Sequence, residues 1–222
     1  RLKYKSRASL DHKLKEVFDR IVDSKRGIGV MSNGSLPGPF NGWMYTDYEL
    51  AKALDSIGIA VREFTSKVPE IMKQIAICCI AVHHKTNVEY WAHSQLAKKH
   101  GVKNETLEAI LGEQYPKFKG NAHEKEQEVS YRFTQEFLQS YQVSDHLYNE
   151  TLNVIGSEQG MVEFICVIGH YVGYKAGHGI THGLLRTLFG DEGNFEIISC
   201  DKETVENLPG SGVKFSEVCK VA

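Results

Sequence analysis

The chain has 222 residues with 26 basic and 28 acidic side chains, a formal net charge of −2. That near balance argues against a nucleic-acid partner, which calls for clustered positive charge against phosphates. Apolar residues at 41%, charged residues at 24%, 20 Gly and 5 Pro are ordinary values for a globular domain and exclude collagen-like and low-complexity classes.

Helical periodicity dominates. From Asp11 to about Ser24, Leu14, Val17, Phe18, Ile21 and Val22 form one apolar face. Residues 26–45 are rich in Gly and Pro and read as a long loop, functional or an arm against a neighbour. Thr46 and Glu49 have the spacing of a capping box. The helix they start turns Leu50, Leu54, Ile57 and Val61 inward. The next helix runs from Pro69 to about His84. It is apolar nearly all round over Ile75–Val82, as a central buried helix should be. That apolar run is also the longest in the chain, and far short of the roughly 20 residues of a membrane span.

A further helix spans Thr86–His100, with Gly101 after its end. Asn104 caps a short helix to Leu111, and residues 113–121 form a loop around Pro116. His123–Tyr141 is a long amphipathic helix with Val129, Phe133 and Phe137 inside. Ser144 begins another, to about Ile155. Glu158 to about Phe189 is mostly helical, interrupted by Gly177, Gly179 and Gly183. Residues 190–222 alternate weakly, as short strands or an extended arm would. No internal repeat is visible. The reading is an all-α domain of about seven to eight helices over residues 1–189, with 190–222 an irregular tail packed on the domain or a neighbouring subunit.

The first residues lack the apolar stretch of a signal peptide, so a cytoplasmic location is expected. Cys78, Cys79, Cys166, Cys200 and Cys219 are an odd set. The first three lie in apolar helical stretches and read as buried thiols, which suits a reducing compartment.

The densest polar cluster is His83–His93. Glu89 and His93 are i and i+4 on one helix face, where a carboxylate and an imidazole can orient each other and pass a proton. The helix N-terminus adds backbone N–H groups that favour an anion. A plainer role for Glu89 is open beside this one, because Thr86 and Glu89 also fit a capping box. Trp91 reads first as packing. On the later helix, Glu163, His170, Tyr174, His178 and His182 recur at spacings of 7, 4, 4 and 4 and should line a cavity or interface. The His spacing is not that of a standard metal pair, so no metal is expected. Nucleotide loops, a serine-hydrolase elbow, Cys-x-x-Cys and His-Glu-x-x-His are all absent from the sequence.

Three segments carry a resemblance: Val68–Val82; Val88–Gly101, with Glu89, Tyr90, Trp91, Ala92 and His93 in order; and Gly160–Tyr171. The chain resembles the carboxymuconolactone decarboxylase and alkylhydroperoxidase-D-like family over roughly residues 10–185, with Trp43 and the Arg26–Gly27 region similar to longer members. The resemblance implies a helical domain that forms homo-oligomers, with its site between helices near a subunit contact. The peroxidase branch has Cys-x-x-Cys where this chain has Thr86 and Glu89, so thiol peroxidase chemistry is not expected. Gln74 stands where the family tends to have Glu, and Gln cannot titrate.

The function implied is a cofactor-independent lyase or isomerase acting on a small carboxylated or lactone-like metabolite. His93 is the expected acid or base and Glu89 its orienting partner; Tyr90, Trp91, His170 and Tyr174 are expected to bind substrate. Alternatives are a secondary-metabolism cyclase or isomerase in the same cavity, or a binding or scaffold protein of the same fold.

Overall fold

The computed structural model describes residues 2–25 and 29–175. The Arg26–Gly27 region, the helical continuation toward Phe189 and the 190–222 tail lie outside them. Among the described residues the chain is all-helical, and its β-type pairing is a single isolated bridge between Ser6 and Ser35. The helices are α1 (His12–Asp23), α2 (Gly38–Trp43), α3 (Tyr48–Glu63), α4 (Glu70–His83), α5 (Asn87–Lys99), α6 (Asn104–Leu111), α7 (Ala122–Ser140), α8 (Asp145–Ile155) and α9 (Glu158–His170). A π-helical turn, Tyr171–Lys175, continues α9.

α4 is the centre. Every residue from Ile71 to Ala81 is buried, and α5, α6, α7 and α9 pack around it. Ser130 on α7 donates its hydroxyl to the Met72 carbonyl at 2.6 Å, so a small polar residue lets the two helices approach. Gly160 on α9 does the same elsewhere: a Cβ there would lie 2.3 Å from Ile155 Cγ2 and 3.1 Å from the Lys67 carbonyl.

A second, smaller core joins Leu14, Val17, Phe18 and Ile21 of α1 to Leu36, Phe40, Trp43 and Met44 and to Ala51 of α3. The Gly/Pro-rich stretch is thus not only loop: it holds the short buried helix α2. α3 is common to both cores, with Ala51 in the small one and Val61 in the large one.

Helix starts depart from the sequence reading where another donor or acceptor wins. Asp47, not Thr46, caps α3 by accepting from the Glu49 N–H, while Thr46 Oγ1 donates to the Trp43 carbonyl. Lys103 rather than Asn104 stands at the start of α6. α3 keeps part of its expected face, with Val61 buried and Leu54 partly so, but Leu50 and Ile57 are exposed and Ala51, Asp55 and Gly58 are buried instead. Small side chains bring α3 close to its neighbours, and Arg20 of α1 pairs with the fully buried Asp55.

Two ion-pair sets give contrasting expectations. Truncating Arg20 takes away a cation that pairs with the buried Asp55 carboxylate. Because Arg20 is itself 37% exposed, Arg20→Ala should cost about 2 kcal/mol, below the full buried-pair cost. The Arg7–Asp19 pair is nearly half exposed on both sides, so Arg7→Ala should leave the urea midpoint almost unchanged. Equal midpoint shifts would contradict this assignment. On α8, hydrogen bonds from Arg132 and Lys125 hold the Glu150 carboxyl down at about 2. Its stabilising contribution is therefore complete above about pH 4.5 and lost as pH falls toward 2. The urea-midpoint gap between Glu150→Gln and the parent should narrow over that acid window.

Candidate active site

Four segments bring polar groups to one place: the last turn of α3, the first two turns of α4, the start of α5 and the end of α9. α4 is apolar all round in its second half, but its start carries Glu70, Lys73 and Gln74, at i, i+3 and i+4 on one stripe. Gln74 is fully buried and Lys73 is 5% exposed. Their partners are close. Lys73 Nζ lies 2.9 Å from Glu70 Oε2 and donates to Thr65 Oγ1 at 3.1 Å. Gln74 Nε2 donates to Glu70 Oε1 at 2.6 Å.

α5 supplies Glu89 and His93, both buried. The His84–Thr86 turn folds α5 back along α4, with Lys85 in the left-handed region at φ 55°. His93 Nδ1 then meets Gln74 Oε1 at 2.7 Å, and His93 Nε2 lies 3.4 Å from Glu89 Oε2. The reciprocal capping box is not formed. The Thr86 N–H and Oγ1 both donate to the Ala81 carbonyl, which leaves Glu89 to face His93.

The π-helical turn brings Tyr171 into the cluster, its ring 5.1 Å from that of His93 in an edge arrangement. Such a turn within a helix often marks a functional site. Arg62, in the last turn of α3, faces Tyr171, Glu70 and Glu89. Burial alone would push Arg62 down, but those three neighbours outweigh it and raise it. Tyr171 is pushed up to about 12, by burial first and then by Glu89 and Glu70 against the pull of Arg62. It is a neutral phenol at neutral pH, able to donate or accept a hydrogen bond. Burial also raises Glu70, but Lys73, Gln74 and Arg62 together bring it below the usual carboxylate range.

The residues expected from the sequence separate here. His93 and Glu89 meet. His170 is buried with its ring 5.3 Å from that of Tyr171, on which the His93 ring also packs. Tyr90 is turned about 100° from Glu89 around α5, and its hydroxyl donates to the Leu107 carbonyl at 2.7 Å. That bond joins α5 to α6 in the core. Trp91 is buried a further 100° round the helix. Glu163 is also elsewhere: it accepts from the Lys67 N–H at 2.9 Å and from Gln159 Nε2 at 2.7 Å, holding the segment between α3 and α4. Tyr174 falls on the π-helical turn, whose changed pitch breaks the predicted stripe, and His178 and His182 lie outside the described residues.

Arg62, Glu70, Lys73 and Tyr171 were not among the residues predicted. The stripe at 70, 73 and 74 carried a readable signal, three polar groups at the head of the most apolar helix. Arg62 and Tyr171 carried none, because they join through tertiary packing and a π-helical turn. No family model, curated protein or solved structure matches the chain.

Three of the five cysteines lie among the described residues. Cys78 and Cys79 are buried, whereas Cys166 is exposed on α9, contrary to the buried position its apolar neighbours suggested. The inward face of α9 is taken by Met161, Phe164, Val167 and Ile168. Burial pushes the Cys79 thiol up to about 12, against a weaker effect of Gln135. Since the thiolate is the reactive form, iodoacetamide at pH 7 should alkylate Cys166 well before Cys78 or Cys79 in the folded chain. Peptide mass mapping after a short exposure reads the order, and early labelling of Cys79 would contradict it.

Proposed function

We propose that this chain is a cofactor-independent lyase or isomerase acting on a small carboxylated or lactone-like metabolite by His-centred acid/base chemistry, in the manner of the carboxymuconolactone decarboxylases it resembles. The observation that carries the reading is the buried His93, held between Glu89 and Gln74 and edged by Tyr171. In the decarboxylating form of this chemistry the C–C bond to the held carboxylate breaks, CO₂ leaves, the bond's electron pair moves into a conjugated acceptor, and a proton then reaches the resulting dienolate. Arg62 is the cation for the carboxylate. His93 carries the proton, and Glu89 orients the ring and stabilises its charged form.

A binding or scaffold protein is the second reading. It is favoured by the way Glu70, Lys73, Gln74 and His93 already pair with one another, as a rigid polar core would. Comparing metabolites of a deletion strain with its parent finds the substrate that separates the two. His93→Gln should then lower turnover about 100-fold or more with the fold kept, since a positioned acid or base contributes roughly 10²–10⁴-fold. Glu89→Gln should cost less. Near-normal turnover in folded His93→Gln would remove this residue from the chemistry and move the assignment to His170 and Tyr174.

A homo-oligomer belongs to the same reading. α9 turns Val162 and Ile165 outward, 61% and 43% exposed, and a partner copy would cover them. Light scattering at micromolar concentration should give a mass well above the 25.0 kDa of one chain; a monomer's mass would defeat this part.

A further inference from the structure

We propose that the outer face of α3 is an interface for a second copy of this chain, on which two α3 helices pack antiparallel with bulky side chains of one set against alanines of the other. This rests on α3 alone, not on the acid/base reading or on the exposed residues of α9.

The apolar residues that α3 leaves outside are not scattered. Leu50, Ala53, Ile57, Ala60 and Phe64 recur at alternate steps of three and four, the spacing that keeps one stripe of a helix against a partner helix. Leu50 is 52% exposed, Ile57 39% and Phe64 70%. Ala53 is exposed and Ala60 half-buried. Single exposed apolar side chains are ordinary. Here they run from the first turn of α3 to its C-cap, about 21 Å, with no charged residue among them. The charges of α3 lie elsewhere. Lys52 reaches over the Tyr48 ring, Asp55 is buried against Arg20, and Arg62 turns to the polar cluster. Glu49 and Glu63, two heptads apart, stand at opposite ends of one edge of the stripe.

The order of sizes decides the occupant. Large residues alternate with alanines along the whole stripe. Two identical subunits about a two-fold axis present one patch to itself, so that patch has to be self-complementary. In a parallel pair the large residues stand level with one another, and the alanines leave gaps between them. An antiparallel pair removes both faults when the axis passes between Ala53 and Ile57. Leu50 then meets the partner's Ala60, and Ile57 meets the partner's Ala53. The axis repeats both contacts, and Phe64 covers the start of the partner helix. Large against small at each level lets the helices close without voids, and their dipoles oppose. The same register brings Glu49 level with the partner's Glu63 at each rim, a like-charge pair. Two helices of 16 residues bury less than the roughly 1,600 Å² of a standard interface, so the dimer should dissociate in the micromolar range.

Directed cross-linking reads the register, in full-length chain carrying Cys166→Ser to remove the exposed native thiol. Chain with Leu50→Cys, mixed at micromolar concentration with chain carrying Ala60→Cys and mildly oxidised, should be joined through positions 50 and 60, as peptide mass mapping identifies. Adding Ile57→Lys to both chains sets like charges at the centre of the stripe and should abolish that link. Ile57 is exposed, so circular dichroism should not change. Glu63→Lys makes both rim pairs attractive and should tighten the dimer about tenfold by sedimentation equilibrium. That comparison is made with Val162→Lys in place, so that α9 contributes nothing. A link joining position 50 to position 50 would overturn the proposal, and so would one that survives Ile57→Lys. No link at all would leave the stripe to a helix of another protein and overturn it too. An affinity unchanged by Glu63→Lys would do the same, and it decides alone if the cysteine variants do not fold. The mass of Val162→Lys against the parent tests the α9 face separately, so either face can fail alone.

Discussion

The hydrogen bond between His93 and Gln74 is the constraint on which the site depends. Both groups are out of water, and a buried polar group without a partner costs about 1–3 kcal/mol, more if charged. Each must therefore be answered by the next. His93 is answered by Gln74, Gln74 by Glu70 and Glu70 by Lys73. Satisfying that series dictates much of the local backbone. α5 has to return along α4 after a three-residue turn, and Lys85 takes a left-handed conformation to allow it. A network of this kind holds one geometry well, because any loosening leaves several groups unpaired together.

The same helix serves two opposite purposes. From Ile75 to Ala81, α4 is a packing rod, its apolar surface removed from water on all sides. One turn earlier it presents charge. The apolar half packs against α5, α7 and α9, and that packing fixes where the polar half stands. Groups on a rigid element are positioned more sharply than groups on loops, and α4 is buried without a break from Ile71 to Ala81.

Periodicity made most of this architecture legible. α1, α4, α7 and α8 stand close to where their apolar residues put them, because burial decides each: of one face in α1, α7 and α8, and all round in α4. α3 followed its aliphatic residues only in part. Leu50 and Ile57 face outward because a neater fit exists on the Ala51–Asp55–Gly58 side, and a buried aspartate with an arginine partner has no signature in hydrophobic pattern. At the site, the Glu89–His93 spacing was readable because both lie on one helix. The contribution of Gln74 was not. Its role comes from a contact nineteen residues away and from the hydrogen-bonding capacity of Glu70. Tyr171 was hidden for another reason: the helix changes pitch beneath it, and spacing rules for an α-helix no longer apply.

α3 has a consequence for how the whole molecule comes apart. One end of this helix is anchored in the small core with α1 and α2, and the other carries Val61 into the large core and Arg62 into the polar cluster. The two cores therefore share a beam rather than a flexible link, and local opening of either one strains the other. Loss of order around Phe18 and Trp43 would tilt α3 and carry the Arg62 guanidinium off Tyr171. The N-terminal segment, remote from the imidazole, is in this sense part of the scaffold that tunes it. Damage there would reach the polar cluster through α3.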